Sequence, residues 1–269
     1  MSSPVIASGP LALLTYWAPE FGAQLVGVFP NALHLQVTAP LPDGTKPSYA
    51  ITAKLVGNGI VTAQETVPCE LPASCPERHI NRNGTFCLGW DEVDRIEVTD
   101  RDAAWRWWAT LVGFLKLQAR AKRLRRWPSR KVWAHGDAAR HQQTAMQAAA
   151  VLGAPFIDDV EEGRLRIVQL PGKGNEPVLR VLRDGRRLYE VWLKPRRVVN
   201  LRGPCVCSAG QGTRPAVLKT CGKRKHAEAA AGLAVALQQW VAVERAFWNS
   251  LKNQKCCGTM DDCPLAAAA

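Results

Sequence analysis

The chain has 269 residues and a formal net charge of +12, with 47% hydrophobic and 22% charged residues, the balance of an ordinary globular protein large enough for one big or two modest domains. No run of about 18 uncharged apolar residues occurs, which excludes a membrane-spanning helix, and the N-terminus MSSPVIASGP lacks the basic start of a secretory leader. The positive charge points to an acidic partner, a protein or a nucleic acid.

In chain order, PLALLTYWAPEFG (10–22) predicts a short apolar helix ending near Gly22. The strand-like runs ALHLQVTAPL, SYAITAKLVG and IVTAQETV follow, separated by the turn signals PDGTKP and GNG, so an antiparallel meander is expected. Residues 68–92 hold three prolines and little periodicity, and read as loop. A helix is expected over about 101–126, with Thr99 and Asp102 as a capping box, Trp105, Trp108, Val112 and Leu115 as its buried stripe, and Pro128 ending it. A second helix is expected at about 137–152, starting at Asp137 and stopped by Gly153 and Pro155. The composition then changes. RLRIVQL predicts a strand, and PVLRVLRDGRRLYEVWLKP a hairpin turning at Asp184-Gly185. A last helix, about 227–251, places Leu233, Leu237, Trp240, Phe247 and Leu251 largely on one face. The closing LAAAA is uninformative.

The stretch CPERHINRNGTFCLGW (75–90) is the densest in chemistry. Gly84 admits backbone shapes that other residues resist, and Asn81 and Asn83 suit bonds to the loop's own backbone. A thiol held there at Cys87 suits attack on an acyl group, subject to its ionisation and access. HINRNGTFCL resembles the active-site signature of ubiquitin-conjugating enzymes: aligned on the cysteine, Ile80, Asn81, Asn83, Gly84, Cys87 and Leu88 match. The order of helix, meander, proline-rich loop and later helices is similar too, over roughly residues 10–153. The resemblance is to divergent bacterial members with a cysteine-rich C-terminal part, found beside ubiquitin-like proteins, activating enzymes and JAB-type proteases.

That resemblance implies an α+β fold and a two-step acyl transfer, with Cys87 carrying a ubiquitin-like protein as a thioester and passing it to a target nucleophile. It implies a ubiquitin-like protein, an activating enzyme and a target protein as partners, no cofactor for catalysis, and a cytoplasmic, bacterial ubiquitination-like setting such as antiphage defence. The site would comprise Cys87, His79, Asn81 and Asp91. His79 stands where the family has an asparagine thought to stabilise the oxyanion, and Arg78 and Glu77 replace the motif's Pro and His. Divergent bacterial members carry histidine there as well, which leaves His79 as oxyanion donor, proton shuttle or loop brace. Asp91, in the acidic run WDEVD, is the candidate to deprotonate or orient an incoming amine. Two other readings stand beside this one: a non-catalytic scaffold for a ubiquitin-like protein or activating enzyme, and a zinc-containing nucleic-acid-binding protein.

Nine cysteines are many, and in a reducing compartment they more often serve catalysis or metals than disulfides. Cys69 and Cys75 bracket the loop and are expected to pack. Cys205, Cys207, Cys221, Cys256, Cys257 and Cys263, with His226 nearby, are the candidate ligands of a structural zinc; packed thiols or disulfides are the alternatives. His135 and His141 read as surface residues. The run 116–131 carries eight basic residues, a solvated helix end or a docking face for an acidic partner, and no nucleic-acid motif accompanies it. The expected division is a conjugating-like domain over 1–153 and a smaller cysteine-rich α+β domain over 154–269.

Overall fold

The computed structural model describes residues 9–129, 132–172, 176–208 and 216–266. The leader reading at the N-terminus, Arg130 and Lys131 of the basic run, and the last three alanines lie outside them wholly or in part. The chain forms two compact units, residues 1–129 with 253–269, and residues 130–252.

The first unit opens with helix α1 (Pro10–Trp17), whose Pro10 sits where the missing N–H costs nothing. Four antiparallel strands follow in sheet order: β1 (Ala23–Phe29), β2 (Ala32–Thr38), β3 (Ser48–Gly57) and β4 (Ile60–Glu65). The last three alternate, sending Leu33, Leu35, Val37, Tyr49, Ile51, Ala53, Val61 and Ala63 inward. β1 was not anticipated. It is an edge strand with Leu25 and Val26 exposed and a bulge at Val26, so it carries no alternating apolar signal. After the loop come a short turn of helix, α2 (Asp91–Asp94), and the long α3 (Arg101–Leu124).

Two details of α3 correct the sequence reading. Its N-cap is Asp100, whose carboxylate accepts the Ala103 N–H at 2.8 Å, not a box of Thr99 and Asp102. Its buried face is centred on Ala104, Trp107, Trp108, Leu111, Leu115 and Gln118, while Trp105 is 43% exposed. The adjacent tryptophans 107 and 108 both turn inward, which rotates the stripe away from 105. Trp108 Nε1 donates to Leu14 O of α1 and Trp107 Nε1 to Val61 O of β4, each at 2.9 Å, so the indoles bind the helix to both neighbours. Arg125, in left-handed conformation, ends α3 before Pro128 is reached.

In the second unit, α4 (Ala138–Leu152) packs alanine-to-alanine against α6 (Lys225–Ser250), sharing a core that includes Ala145, Ala149, Ala230, Leu233, Ala234 and Leu237. A further helix, α5 (Ala154–Glu161), follows Gly153 directly, so the boundary expected at 153 falls between two helices of one core. A second antiparallel sheet runs β5 (Leu165–Leu170), β6 (Val178–Arg183), β7 (Arg186–Trp192), β8 (Arg197–Val198). The β6–β7 turn is Asp184-Gly185 as expected, both at positive φ. His135 is not a plain surface residue. It is half-buried, bonded through Nδ1 to Glu244 at 2.6 Å and stacked on Phe247. No described helix is long and apolar enough to cross a membrane.

Candidate functional site

The loop that presents Cys87 is built on two buried polar residues. Glu65 ends β4 at an inward position and is 5% exposed. Its carboxylate accepts the backbone N–H groups of Cys69, Glu70 and Leu71 at 3.0–3.1 Å, which gathers the start of the loop around one charge. Arg78, 1% exposed, donates from Nε to Gln118 Oε1 at 2.8 Å and from Nη2 to Gln118 O at 3.2 Å, and Gln118 Nε2 donates back to Arg78 O. The loop is thereby pinned to the C-terminal third of α3. Burial lowers the Arg78 pKa, partly offset by the thiols of Cys75 and Cys257 and by Tyr49 and Glu65.

Between these anchors the chain doubles back on itself. Cys75 and Ile80 exchange backbone hydrogen bonds at 3.0 Å around a turn whose last residue, His79, is left-handed at φ 54°. Asn81 and Thr85 close the next turn: Asn81 N donates to Thr85 O at 2.8 Å, and Gly84 occupies φ 83°. Asn81 Nδ2 donates to Thr85 Oγ1 at 3.0 Å, and Asn83 Oδ1 accepts from the Thr85 N–H and hydroxyl. Phe86 N donates to Ala63 O of β4, and its ring stacks on Phe114 of α3 at 4.8 Å. Phe86 is thus the buried foot of the loop, and Cys87 emerges beside it.

Cys87 is half-buried. Its N–H donates to His79 O at 2.8 Å, and its Sγ lies 3.5 Å from Gly89 O. Burial raises the thiol pKa, the Gly89 backbone contact lowers it, and the carboxylates of Asp91 and Asp94 raise it further. The His79 imidazole rests against the Trp127 indole, centroids 4.8 Å apart. Asp91 lies on α2, exposed, 3.7 Å from Arg95. Asp94 folds back, accepting the Trp90 N–H at 3.0 Å, and a Cβ at Gly89 would fall 2.6 Å from Asp94 Cβ, so only glycine fits there. Of the four expected site residues, His79 and Cys87 are joined by a backbone bond, Asp91 acts on the sulfur through its charge, and the side chain of Asn81 is bonded to Thr85.

The six C-terminal cysteines do not form one group. Among the described residues one set could hold a metal ion: Cys205, Cys207, Cys221 and His226, with ligand atoms all within 4.8 Å of one another. His226 Nδ1 lies 3.4 Å from Cys205 Sγ and 3.3 Å from Cys221 Sγ, and Cys207 and Cys221 sulfurs are 3.7 Å apart. Tetrahedral zinc with three sulfurs and a nitrogen has edges of about 3.5–3.8 Å, so the set fits. A bridge between Pro204 and Val217 brings the strands of chain together, and His226 enters from the first turn of α6. Gly222 permits the approach, since a Cβ there would fall 2.7 Å from the imidazole. Cys256, Cys257 and Cys263 belong to the other unit. The sequence signal for the quartet was Cys-x-Cys with a later Cys-x4-His, a spacing without the familiar Cys-x2-Cys.

The basic end of α3 is partly neutralised within its own unit: Lys122 pairs with Glu70 and Arg123 with Asp43 at 2.9 Å, and Arg125 with Asp261 at 2.5 Å.

A meander backed by one long helix, with a cysteine on a braced loop between them, is the arrangement of the first unit, and a second unit holding Cys205, Cys207 and Cys221 accompanies it. A family model described as the prokaryotic E2 domain matches residues 24–129, and one described as the cysteine-rich domain C-terminal to E2 matches residues 134–265. End to end they account for most of the chain, which belongs among the bacterial ubiquitin-conjugating-like (UBC-like) proteins with a cysteine-rich C-terminal region. No curated protein and no solved structure matches the chain. The prokaryotic E2 domain gives the protein a ubiquitin-conjugating-type role, which involves ubiquitin-like proteins and activating enzymes in general.

Proposed function

We propose that the protein carries a ubiquitin-like protein as a thioester on Cys87 and transfers it to a target nucleophile. The observation that carries this reading is Cys87 on a loop fixed to β4 and α3, inside the segment matched by the E2 model. In the first step the Cys87 sulfur attacks the thioester held by an activating enzyme; a new C–S bond forms and the activating enzyme's thiolate leaves. In the second an amine attacks the same carbonyl, a C–N bond forms and the Cys87 thiolate departs. Asp91, exposed and close in sequence, is assigned the amine's proton. His79 is assigned to the developing oxyanion, and Asn81 to bracing the turn, the role its bond to Thr85 supports. A bacterial ubiquitination-like pathway, with antiphage defence as its setting, is part of this reading through family membership alone. Cys205, Cys207, Cys221 and His226 are proposed to hold a structural zinc.

The test uses the protein with an activating enzyme, a ubiquitin-like protein and ATP. A thiol-reducible adduct should form and vanish in Cys87→Ala; an adduct of unchanged yield in that variant ends the assignment. His79→Asn should retain more transfer than His79→Ala if an oxyanion donor is what the position needs. The raised Cys87 pKa favours one competing reading, a scaffold that binds the same partners without accepting the acyl group. A Cys87→Ala variant with undiminished affinity for the activating enzyme, joined to a wild type that never forms an adduct, would favour it.

A further inference from the structure

Two thiols 182 positions apart meet beneath the loop: Cys257 Sγ lies 2.9 Å from Cys75 Sγ. Cys75 is buried and Cys257 half-buried, so one sulfur is protected and the other accessible. The approach is held by flanking contacts. Asp261 N donates to Arg125 O at 2.8 Å, Arg125 Nε pairs with Asp261, and Arg125 Nη2 donates to Gly258 O at 3.2 Å. These anchor the C-terminal segment on the end of α3 on both sides of residue 259. On the Cys257 side stand the Thr259 hydroxyl, 3.0 Å from the sulfur, and beyond it Arg78, whose Nη1 donates to that hydroxyl at 3.4 Å. A hydroxyl donor backed by a cation favours a thiolate on Cys257. The Cys256 sulfur is turned elsewhere: it accepts the Gly258 N–H at 3.4 Å and meets Cys263.

We propose that Cys75 and Cys257 form a reversible disulfide that ties the C-terminal segment to the loop presenting Cys87. The oxidant is of the peroxide class. The Cys257 thiolate attacks the O–O bond, gaining one oxygen as a sulfenic acid while the other leaves as hydroxide and takes up a proton. The Cys75 sulfur then attacks the Cys257 sulfur; the S–S bond forms and the sulfenic oxygen departs as water. Two thiols and one hydrogen peroxide become one disulfide and two waters, a two-electron exchange. The bond would fix Cys75, whose backbone pairs with Ile80, next to the turn where His79 O receives the Cys87 N–H. Oxidation state and loop rigidity are thereby linked. The proposal stands whether or not Cys87 accepts an acyl group.

The full chain is treated with stoichiometric hydrogen peroxide, residual thiols are blocked with iodoacetamide, and non-reduced peptides are weighed. The expected product is a Cys75–Cys257 linked peptide about 2 Da below the sum of its parts, lost on reduction and absent in Cys257→Ser, with proteolysis of segment 253–266 slowed in the oxidised protein. Cys257 is half-exposed, so its serine variant keeps the fold, which circular dichroism checks. Linkage of Cys257 to Cys256 or Cys263 instead, or both thiols remaining alkylable after oxidation, overturns the proposal. So does bound zinc that persists in a Cys205→Ser/Cys207→Ser variant and is lost in Cys257→Ser, since the thiols would then be metal ligands.

Discussion

Glu65 occupies a position that the alternation of β4 assigns to an apolar side chain, yet three backbone N–H groups turn to meet its carboxylate. Removing it leaves those donors without their acceptor, that of Leu71 buried and those of Cys69 and Glu70 partly so. Glu65→Ala should therefore cost roughly 3 kcal/mol of the first unit's stability in urea unfolding, and speed alkylation of Cys69, whose N–H and sulfur both face that carboxylate. Cys87 poses the opposite problem, a group whose charged form the fold resists. Burial raises its pKa, so at neutral pH the folded thiol holds its proton and reacts with iodoacetamide more slowly than a free cysteine, faster as pH rises. The linkage has a definite sign. The contribution to stability is complete below the ordinary thiol range and is lost as pH climbs through the raised pKa. An alkylation rate at pH 7 equal to that of the denatured chain would contradict this placement of the sulfur.

At the scale of the element, α3 decides how the first unit holds together. Trp107→Ala opens the core between helix and sheet and should cost about 3–5 kcal/mol, whereas Trp105→Ala, which loses an edge contact with Phe21, should cost about 1 kcal/mol. Denaturation midpoints of the two variants rank them directly. The sequence spacing 105-108-112-115 pointed to the wrong tryptophan because periodicity fixes a helix's repeat but not its rotation when three aromatic residues crowd four positions. Elements with local determinants were readable: the Asp184-Gly185 hairpin needs two positive-φ residues in a row, and the meander declares itself by alternation. β1 was not readable, since an edge strand with exposed Leu25 and Val26 has no buried face to betray it. The same division holds at the site. Asn81, Gly84 and Cys87 stood within seven residues of one another, while the supports of their loop, Glu65, Gln118 and Cys257, come from a strand, a helix and the C-terminal segment. Nothing local marks such partners. In the second unit the His135–Glu244 pair shows the same non-local logic across α6. Burial would raise the Glu244 pKa, but hydrogen bonds from His135 and Trp248 with the imidazole's charge lower it. Its stabilisation is thus present above the unfolded carboxyl's range and lost as pH falls through the lowered folded value. Glu244→Gln should flatten that acid limb in a pH series of thermal melts.

At the scale of the molecule, each unit has a core of its own, and the second has one corner that needs a further constraint. Among the described residues between β8 and α6, apolar burial is limited largely to Cys205, Val206 and Leu218, and the backbone runs through three consecutive left-handed residues, Gly222, Lys223 and Arg224. Left-handed conformations at Lys223 and Arg224 each cost free energy, of order 1 kcal/mol or more, and persist only where the surroundings fix them. Cys205, Cys207, Cys221 and His226 could hold a metal ion at this corner, and such an ion would supply a constraint of that kind. If zinc fills the quartet, chelation should lower the second unit's stability by about 3 kcal/mol or more, the linkage expected with metal at a hundredfold its dissociation constant or above. Hydrogen exchange should then rise first in residues 203–208 and 216–226, with the loop around Cys87 unchanged because its supports lie in the other unit. Cys221→Ser should reproduce the effect without chelator and release one metal per chain. Exchange that rises equally in both units on chelation, or a quartet variant that keeps its full metal content, would mean that these four residues are not what holds this corner in place.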